Sequence, residues 1–178
     1  MTTHNTAPRT LTTGRLTLRP FKETDFETFH QLHGDAGLTA SMHRGALDAA
    51  ESHELFDAYR NAFEADGFGM RAVCWQQTGE MIGECGLWMR ETAGGYTLRY
   101  MLFEGWWGQG LTGEAARATV RQAFGMLALR ELFAVAMDGN VHSVKALRSL
   151  GMEKVERDHR GIAGFGRYRL AHTDFLGR

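Results

Sequence analysis

Gly108, Gly110 and Gly113 stand where the apolar run Tyr100-Met101-Leu102-Phe103 gives way, through Trp106 and Trp107, to a helical pattern opening at Leu111. Glycines at that spacing leave the backbone unshielded. Successive N–H groups can then point at one anion while the helix dipole adds positive potential. The chemistry implied is recognition of a phosphate-bearing cofactor. The same residues are also compatible with an ordinary strand-to-helix turn, because the chain carries 22 glycines.

A second polar cluster, Asn140-Val141-His142-Ser143, opens the next helix. Asn140 and Ser143 fall in its first turn, where they can cap the helix or meet a ligand. The strand ahead of each helix is short and apolar, so the two helix starts are expected side by side on one edge of a sheet. Lys145 and Arg148, further along, can reach nucleotide phosphates or remain a solvated face. Two cysteines, Cys74 and Cys85, sit in apolar segments without zinc-site spacing and read as buried free thiols. His30 and His33 share a helix face, which reads as solvated or hydrogen-bonded rather than metal-binding.

The elements that position these residues alternate between strand and helix. Arg15 to Arg19 alternates with period two and stops at Pro20. Phe26, Phe29 and Leu32 recur at helical spacing behind a Thr24 cap, and Leu47 to Asp66 places Phe56, Tyr59 and Phe63 on one face before Gly67. Met70 to Trp75 and Met81 to Met89 read as a hairpin around Thr78-Gly79. Tyr96 to Phe103 reads as a central strand, Leu111 to Leu127 as a helix, Leu132 to Ala136 as a buried strand and Val141 to Leu150 as a helix ended by Gly151. Val155 to Arg160 and Phe165 to Leu170 close the chain as strands. The expectation is one α/β domain over residues 1–178, with a mixed sheet of about six to seven strands, about four helices, and a flexible tail at 1–10.

Composition narrows the partners. The chain has 178 residues, 43% of them hydrophobic and 23% charged, with a formal net charge of -1. A chain this long can bury roughly 70% of its unfolded surface in one core. A near-neutral balance gives no broad electrostatic footprint for nucleic acid or an anionic membrane. No apolar run approaches a membrane span, and Met1 to Arg9 lacks the apolar core of a signal peptide, so a cytoplasmic protein is expected.

Taken together the motifs resemble the GNAT superfamily of acyl-CoA-dependent N-acetyltransferases, in particular its ribosomal-protein N-terminal acetyltransferase branch. Thr12 to Pro20 with Asp25 is similar to that branch's opening strand, and Ile82-Gly83-Glu84-Cys85-Gly86-Leu87 to its third. Trp106 to Ala115 is similar to its pyrophosphate loop, and Asn140 through Ser143, Leu147, Leu150, Gly151 and Met152 to its closing helix motif.

The resemblance implies acetyl-CoA as cosubstrate, no metal and, in this branch, a homodimer. It implies that backbone groups of Met101, Leu102 and Phe103 pair with the pantetheine amides. The N–H groups of Gln109, Gly110, Leu111, Thr112 and Gly113 would hold the pyrophosphate, Asn140 the pantetheine arm, and Ser143 the departing thiolate, with Lys145 or Arg148 near the nucleotide. Thr97 stands where a glutamate usually starts the central strand, and Arg99 replaces a usual glycine. Glu84 is the leading substitute general base, with Asp138 or a water chain behind it.

An α-amine with pKa about 7.7 to 8.0 needs only about 1 kcal/mol to become neutral at pH 7, whereas lysine at about 10.4 needs about 4 to 5. A weak base therefore favours a protein or peptide N-terminus as acceptor. The alternatives are a small amine (antibiotic, polyamine or amino acid), which Asp35, Asp48, Glu51 and Glu54 could serve from an acidic pocket, or a non-catalytic acyl-CoA sensor. Trp75, Trp88, Trp106, Trp107, Tyr96, Tyr100 and Tyr168 are expected mostly in the core, with one or two walling the acceptor cleft. His43, Arg44 and His53 are further candidates to face the acceptor.

Overall fold

The computed structural model describes residues 9–42, 44–156 and 162–176. Its eight strands form one sheet in the order β1-β2-β3-β4-β5-β6-β8-β7. β1 (Leu11–Thr12) and β2 (Leu16–Arg19) pair antiparallel with β3 (Met70–Trp75), which forms a hairpin with β4 (Met81–Arg90). β4 pairs antiparallel with β5 (Gly95–Leu102) over eight registered positions, from Gly83↔Leu102 to Arg90↔Gly95.

The next pairing is different in kind. β5 and β6 (Glu131–Met137) are parallel and meet at one position, Thr97↔Phe133. Beyond it, the β6-facing edge of β5 has no strand partner. β6 then pairs along its whole length with β8 (Phe165–Ala171), and β7 (Glu153–Glu156) closes the far edge.

Helices cover both faces. Against one face, α1 (Phe26–Gly34) and α3 (Ala49–Asp66) bury Phe29, Phe56 and Tyr59 with Phe21, Met70 and Ala72. Against the other, α4 (Leu111–Gly125) contributes Leu111, Ala115, Ala116, Val120 and Ala123 to the larger core, with Leu147 and Leu150 from the region of α5 (Val141–Ser149). Short α2 (Ala36–Thr39) and α6 (His172–Leu176) complete the described helices.

Several expected boundaries change for local reasons. Thr24 does not cap α1; it lies inside a 3-10 turn, Glu23–Asp25, and Asp25 is the N-cap residue of α1. Asp25 accepts the Lys22 N–H at 2.7 Å and the Arg19 guanidinium at 2.6 Å and 2.9 Å, which anchors the first helix to β2. α3 begins at Ala49, not Leu47, because Asp48 and Glu51 form a reciprocal capping box. The sheet has eight strands where six to seven were expected, and six described helices where four were. β7 starts at Glu153, two residues before the expected Val155, and residues 157–160 of that expected strand lie outside the described residues, as does 1–8 of the expected tail.

Candidate active site

The glycine segment leaves its backbone unshielded at the start of α4. A short 3-10 turn, Glu104–Trp106, lies between β5 and the glycines, and Gly108 and Gly110 have φ of 74° and 76°. That left-handed backbone is strained for residues with a side chain. Gly110 is the N-cap of α4, and the Glu114 N–H makes the first helical bond to the Gly110 carbonyl at 3.1 Å. The N–H groups of Leu111, Thr112 and Gly113 therefore precede the helical ladder. A Cβ on Gly113 would meet nothing within 4 Å, so this side of the turn is open.

Glu114 fixes the cradle to the sheet. Its Oε1 accepts the Thr13 hydroxyl at 2.6 Å and the Arg15 N–H at 2.9 Å, and its Oε2 accepts Arg15 Nε at 2.8 Å. The same guanidinium donates Nη1 to the Gln109 carbonyl at 3.0 Å. Burial opposes the Glu114 charge, yet the Thr13 and Arg15 hydrogen bonds outweigh it and hold the carboxyl below its ordinary range.

The register of β5 corrects part of the expected pantetheine contact. The Phe103 N–H donates to the Ile82 carbonyl of the β4 side at 3.0 Å. Antiparallel alternation then turns the Met101 backbone groups to β4 as well, and leaves those of Tyr100 and Leu102 facing the gap. Of the expected Met101, Leu102 and Phe103, only Leu102 presents its backbone there, joined by Tyr100. The Leu102 carbonyl accepts Trp107 Nε1 at 2.8 Å.

Asn140 caps α5, its Oδ1 accepting the Ser143 N–H at 3.0 Å, while its Nδ2 donates to Ser41 Oγ at 2.9 Å. Both ends of the amide are thus engaged with protein. Tyr100 Oη lies 3.1 Å from both the Ser143 carbonyl and Ser143 Oγ. Burial raises the Tyr100 phenol above its ordinary value, so it stays a neutral hydrogen-bond donor. Lys145 and Arg148 are exposed on α5.

A cavity of about 470 Å³ opens at the β5–β6 gap. Four consecutive β5 residues, Thr97 to Tyr100, line it together with Ala134 and Val135 of β6, Ser143 and Leu147 of α5, and His33, Arg44, Trp88 and Arg90. Glu84, the expected base, is not on this wall. Its Oε2 lies 3.1 Å from His33 Nε2, and both side chains are buried. His33, which does line the cavity, stands between it and Glu84. Of the two readings offered for His30 and His33, the hydrogen-bonded one describes both: His33 meets Glu84, and His30 Nδ1 meets Ser52 Oγ at 2.9 Å. Asp138 is no free base, because Lys154 Nζ holds its two oxygens at 2.7 and 2.8 Å.

The four acidic residues considered for a small-amine pocket do not converge on the cavity. Asp35 caps α2, Asp48 caps α3, Glu51 completes that cap and bonds Arg44, Glu54 is exposed on α3, and among the described residues no Asp or Glu lines the cavity. Of the other candidates, His53 stacks on Phe26 and is absent from the wall, Arg44 is on it, and His43 lies outside the described residues. Cys74 and Cys85 are buried free thiols, Cys85 pushed up to about 12 by burial.

Sequence reasoning named Tyr100 only among the aromatics of which one or two would wall the acceptor cleft; it lines the cavity, and its contact with Ser143 was not foreseen. Among the described residues no helix is long and apolar enough to cross a membrane, and no three His, Cys, Asp or Glu residues cluster as metal ligands.

A split sheet flanked by two helix N-termini, one of them glycine-cradled, is the architecture of an acyl-CoA-dependent transferase. Residues 15–153 match the family described as the acetyltransferase (GNAT) domain, and the chain belongs to that family. It is 29% identical over 148 residues, 82% of this chain and 83% of the other, to the uncharacterized N-acetyltransferase p20 of Bacillus licheniformis. Its fold is similar to that of an acetyltransferase from Agrobacterium tumefaciens strain C58, at a TM-score of 0.82 and 26% identity over 96% of this chain and 98% of that one. A Vibrio cholerae structure assigned provisionally as a ribosomal-protein-serine acetyltransferase also superposes, at a TM-score of 0.69 and 20% identity over 93% and 99% of the two chains. The protein is an N-acetyltransferase, and its family implies acetyl-CoA as the acyl donor.

Proposed function

We propose that the chain acetylates the α-amine of a protein or peptide N-terminus by direct attack on the acetyl-CoA thioester, as in the ribosomal-protein branch. The observation that carries this reading is that, among the described residues, no carboxylate lines the cavity wall. Without an exposed strong base, an α-amine that is nearly neutral at pH 7 is the easier nucleophile, by about 3 to 4 kcal/mol over lysine. The arginines on the wall add to this, since positive charge disfavours the ammonium form of a bound amine.

The residues fit the cosubstrate. The N–H groups of Leu111, Thr112 and Gly113, with Gln109 and Gly110 in the loop, would hold the pyrophosphate. The free edge of Tyr100 and Leu102 would take the pantetheine amides as an added strand does. When bound, acetyl-CoA supplies an activated carbonyl and a thiolate leaving group. Ser143 would donate toward that thiolate, its hydroxyl held in place by Tyr100 Oη at 3.1 Å. His33, held by Glu84, is the group on the wall placed to accept the amine proton.

Calorimetric titration with acetyl-CoA tests the cradle, with Gly113→Glu as the control variant. Gly110→Glu would confound charge with backbone strain at φ 76°, whereas the Gly113 position is open and helical. A glutamate in the first turn suits the helix dipole and repels the pyrophosphate. Micromolar binding lost in the folded variant is expected. Peptides with free and blocked N-termini then test the acceptor: equal rates on a blocked, lysine-bearing peptide would overturn the α-amine reading.

A further inference from the structure

Arg99 is a half-buried arginine in the middle of β5, on the wall of the cavity that also holds Ser143 and Tyr100. Its guanidinium stands 5.9 Å from the centroid of the Tyr59 ring. Among the described residues it makes no hydrogen bond or ion pair to protein. The contrast with other inward arginines is sharp: Arg19 is bound by Asp25, Arg71 by the Arg9 carbonyl, and Arg167 by the Ala93 carbonyl and Glu156.

Its counter-charge lies behind it. Burial opposes the Arg99 charge, while Tyr59 and Glu84 more than restore it, so the group is held above its ordinary range. Glu84 does this at a distance, since its carboxylate is bonded to His33 rather than to Arg99. The planar fork of donors is therefore charged and left on the cavity wall, with Arg44 and Arg90 on the same wall and, among the described residues, no acidic side chain lining it. Such a fork matches a carboxylate or phosphate better than any neutral group.

We propose that the acceptor amine carries an anionic group, a carboxylate or a phosphate, which Arg99 binds while the amine faces Ser143. The inference rests on the acetyltransferase reading and narrows its acceptor. A polycationic amine is the wrong ligand for this wall. A free amino acid, an N-terminal peptide with an acidic second residue and a phosphorylated small amine share the required chemistry.

Thiol release from acetyl-CoA decides among them when measured on matched pairs. These are leucine against leucinamide, a Ser-Glu peptide amide against its Ser-Gln counterpart, and O-phosphoethanolamine against ethanolamine, with spermidine as the cationic arm. In at least one pair kcat/KM for the anionic member is expected to exceed that for the neutral one by about tenfold or more, the discrimination of a single charge-assisted bond. Arg99→Gln raises KM for that anionic acceptor and erases the preference, and Arg99→Lys keeps part of it. Equal use of neutral members, a best rate on spermidine, an undiminished preference in Arg99→Gln, or acetyl-CoA binding without release on any pair each overturns the proposal. Failure to bind acetyl-CoA at all is failure of the underlying reading. In that case calorimetry with leucine and O-phosphoethanolamine still decides: binding lost in Arg99→Gln supports the anion site, and no binding to the wild type removes it.

Discussion

The hydroxyl of Tyr100 reaches across from β5 to the first turn of α5 and meets Ser143 twice, at its carbonyl and at its Oγ, each at 3.1 Å. The contact fixes where the serine hydroxyl sits, on the side proposed above for the departing thiolate. Tyr100→Phe and Ser143→Ala are each expected to lower kcat about 10- to 100-fold, as loss of a positioned donor does. The acetyl-CoA Kd should change less than about threefold, and the double variant should lose little more than the worse single one. Steady-state kinetics beside calorimetry checks this. Because Tyr100 lies above the ordinary phenol range, its ionisation should produce no fall in rate below about pH 10.

Gly113 offers a separation of stability from binding. Alanine there meets no atom within 4 Å and replaces a helical glycine. Gly113→Ala should stabilise the fold by about 0.5 to 1 kcal/mol in urea titration. It should also weaken acetyl-CoA binding, because the added methyl stands where the backbone cradle must be approached. Most variants that lose a ligand also lose stability, so the opposite signs are diagnostic.

His33 and Glu84 form a buried pair. His33→Ala leaves a carboxylate in the core without its hydrogen-bond partner, and should destabilise by about 3 kcal/mol in urea titration. His33→Gln, which can still donate an amide N–H, should lose less stability. If the imidazole takes the amine proton, it should nevertheless lower kcat at least tenfold. Unchanged kcat in that folded variant would assign the proton to solvent.

Acid sensitivity has a local source in Asp25. Burial works against its charge, but the Arg19 hydrogen bonds and the Lys22 N–H prevail, and the folded carboxyl lies below its ordinary value. A depressed folded pKa contributes stability fully present above the unfolded value of about 3.9 and lost as pH falls through the folded one. Asp25→Asn should therefore be less stable than wild type at pH 7, by about 2 kcal/mol for the charged hydrogen bonds. The gap should close below about pH 4. Thermal unfolding of both proteins from pH 3 to 7 reads it directly.

What was legible follows from physical locality. The glycine turn, the capped start of α5 and most strands write themselves in spacing and apolar runs, and β5 was placed within one residue at each end. β1, α2 and α6 were not, because elements of two to five residues carry too little periodicity to see. The site was read unevenly for another reason. β4 is buried on both faces, so no alternation told which way Glu84 points, and its burial against α1 depends on a distant His33. The turning of Met101 and Phe103 toward β4 rests on pairing across the sheet, which one chain's local pattern does not encode. Arg99 was visible only as a departure from the glycine usual in the resembling branch; that it lacks a partner among the described residues was not.

The edge of β5 that lies open beside β6 is also a hazard, since unpaired strand backbone is a template for pairing with other chains. Here the opening is guarded. β6 and β8 stand on its far side, the exposed length is about two residues' worth of backbone, and the Trp107 indole already occupies the Leu102 carbonyl. Such an opening leaves room for one slender extended segment but not for a second sheet, so the gap proposed for the cosubstrate is also expected to resist pairing between copies of the chain.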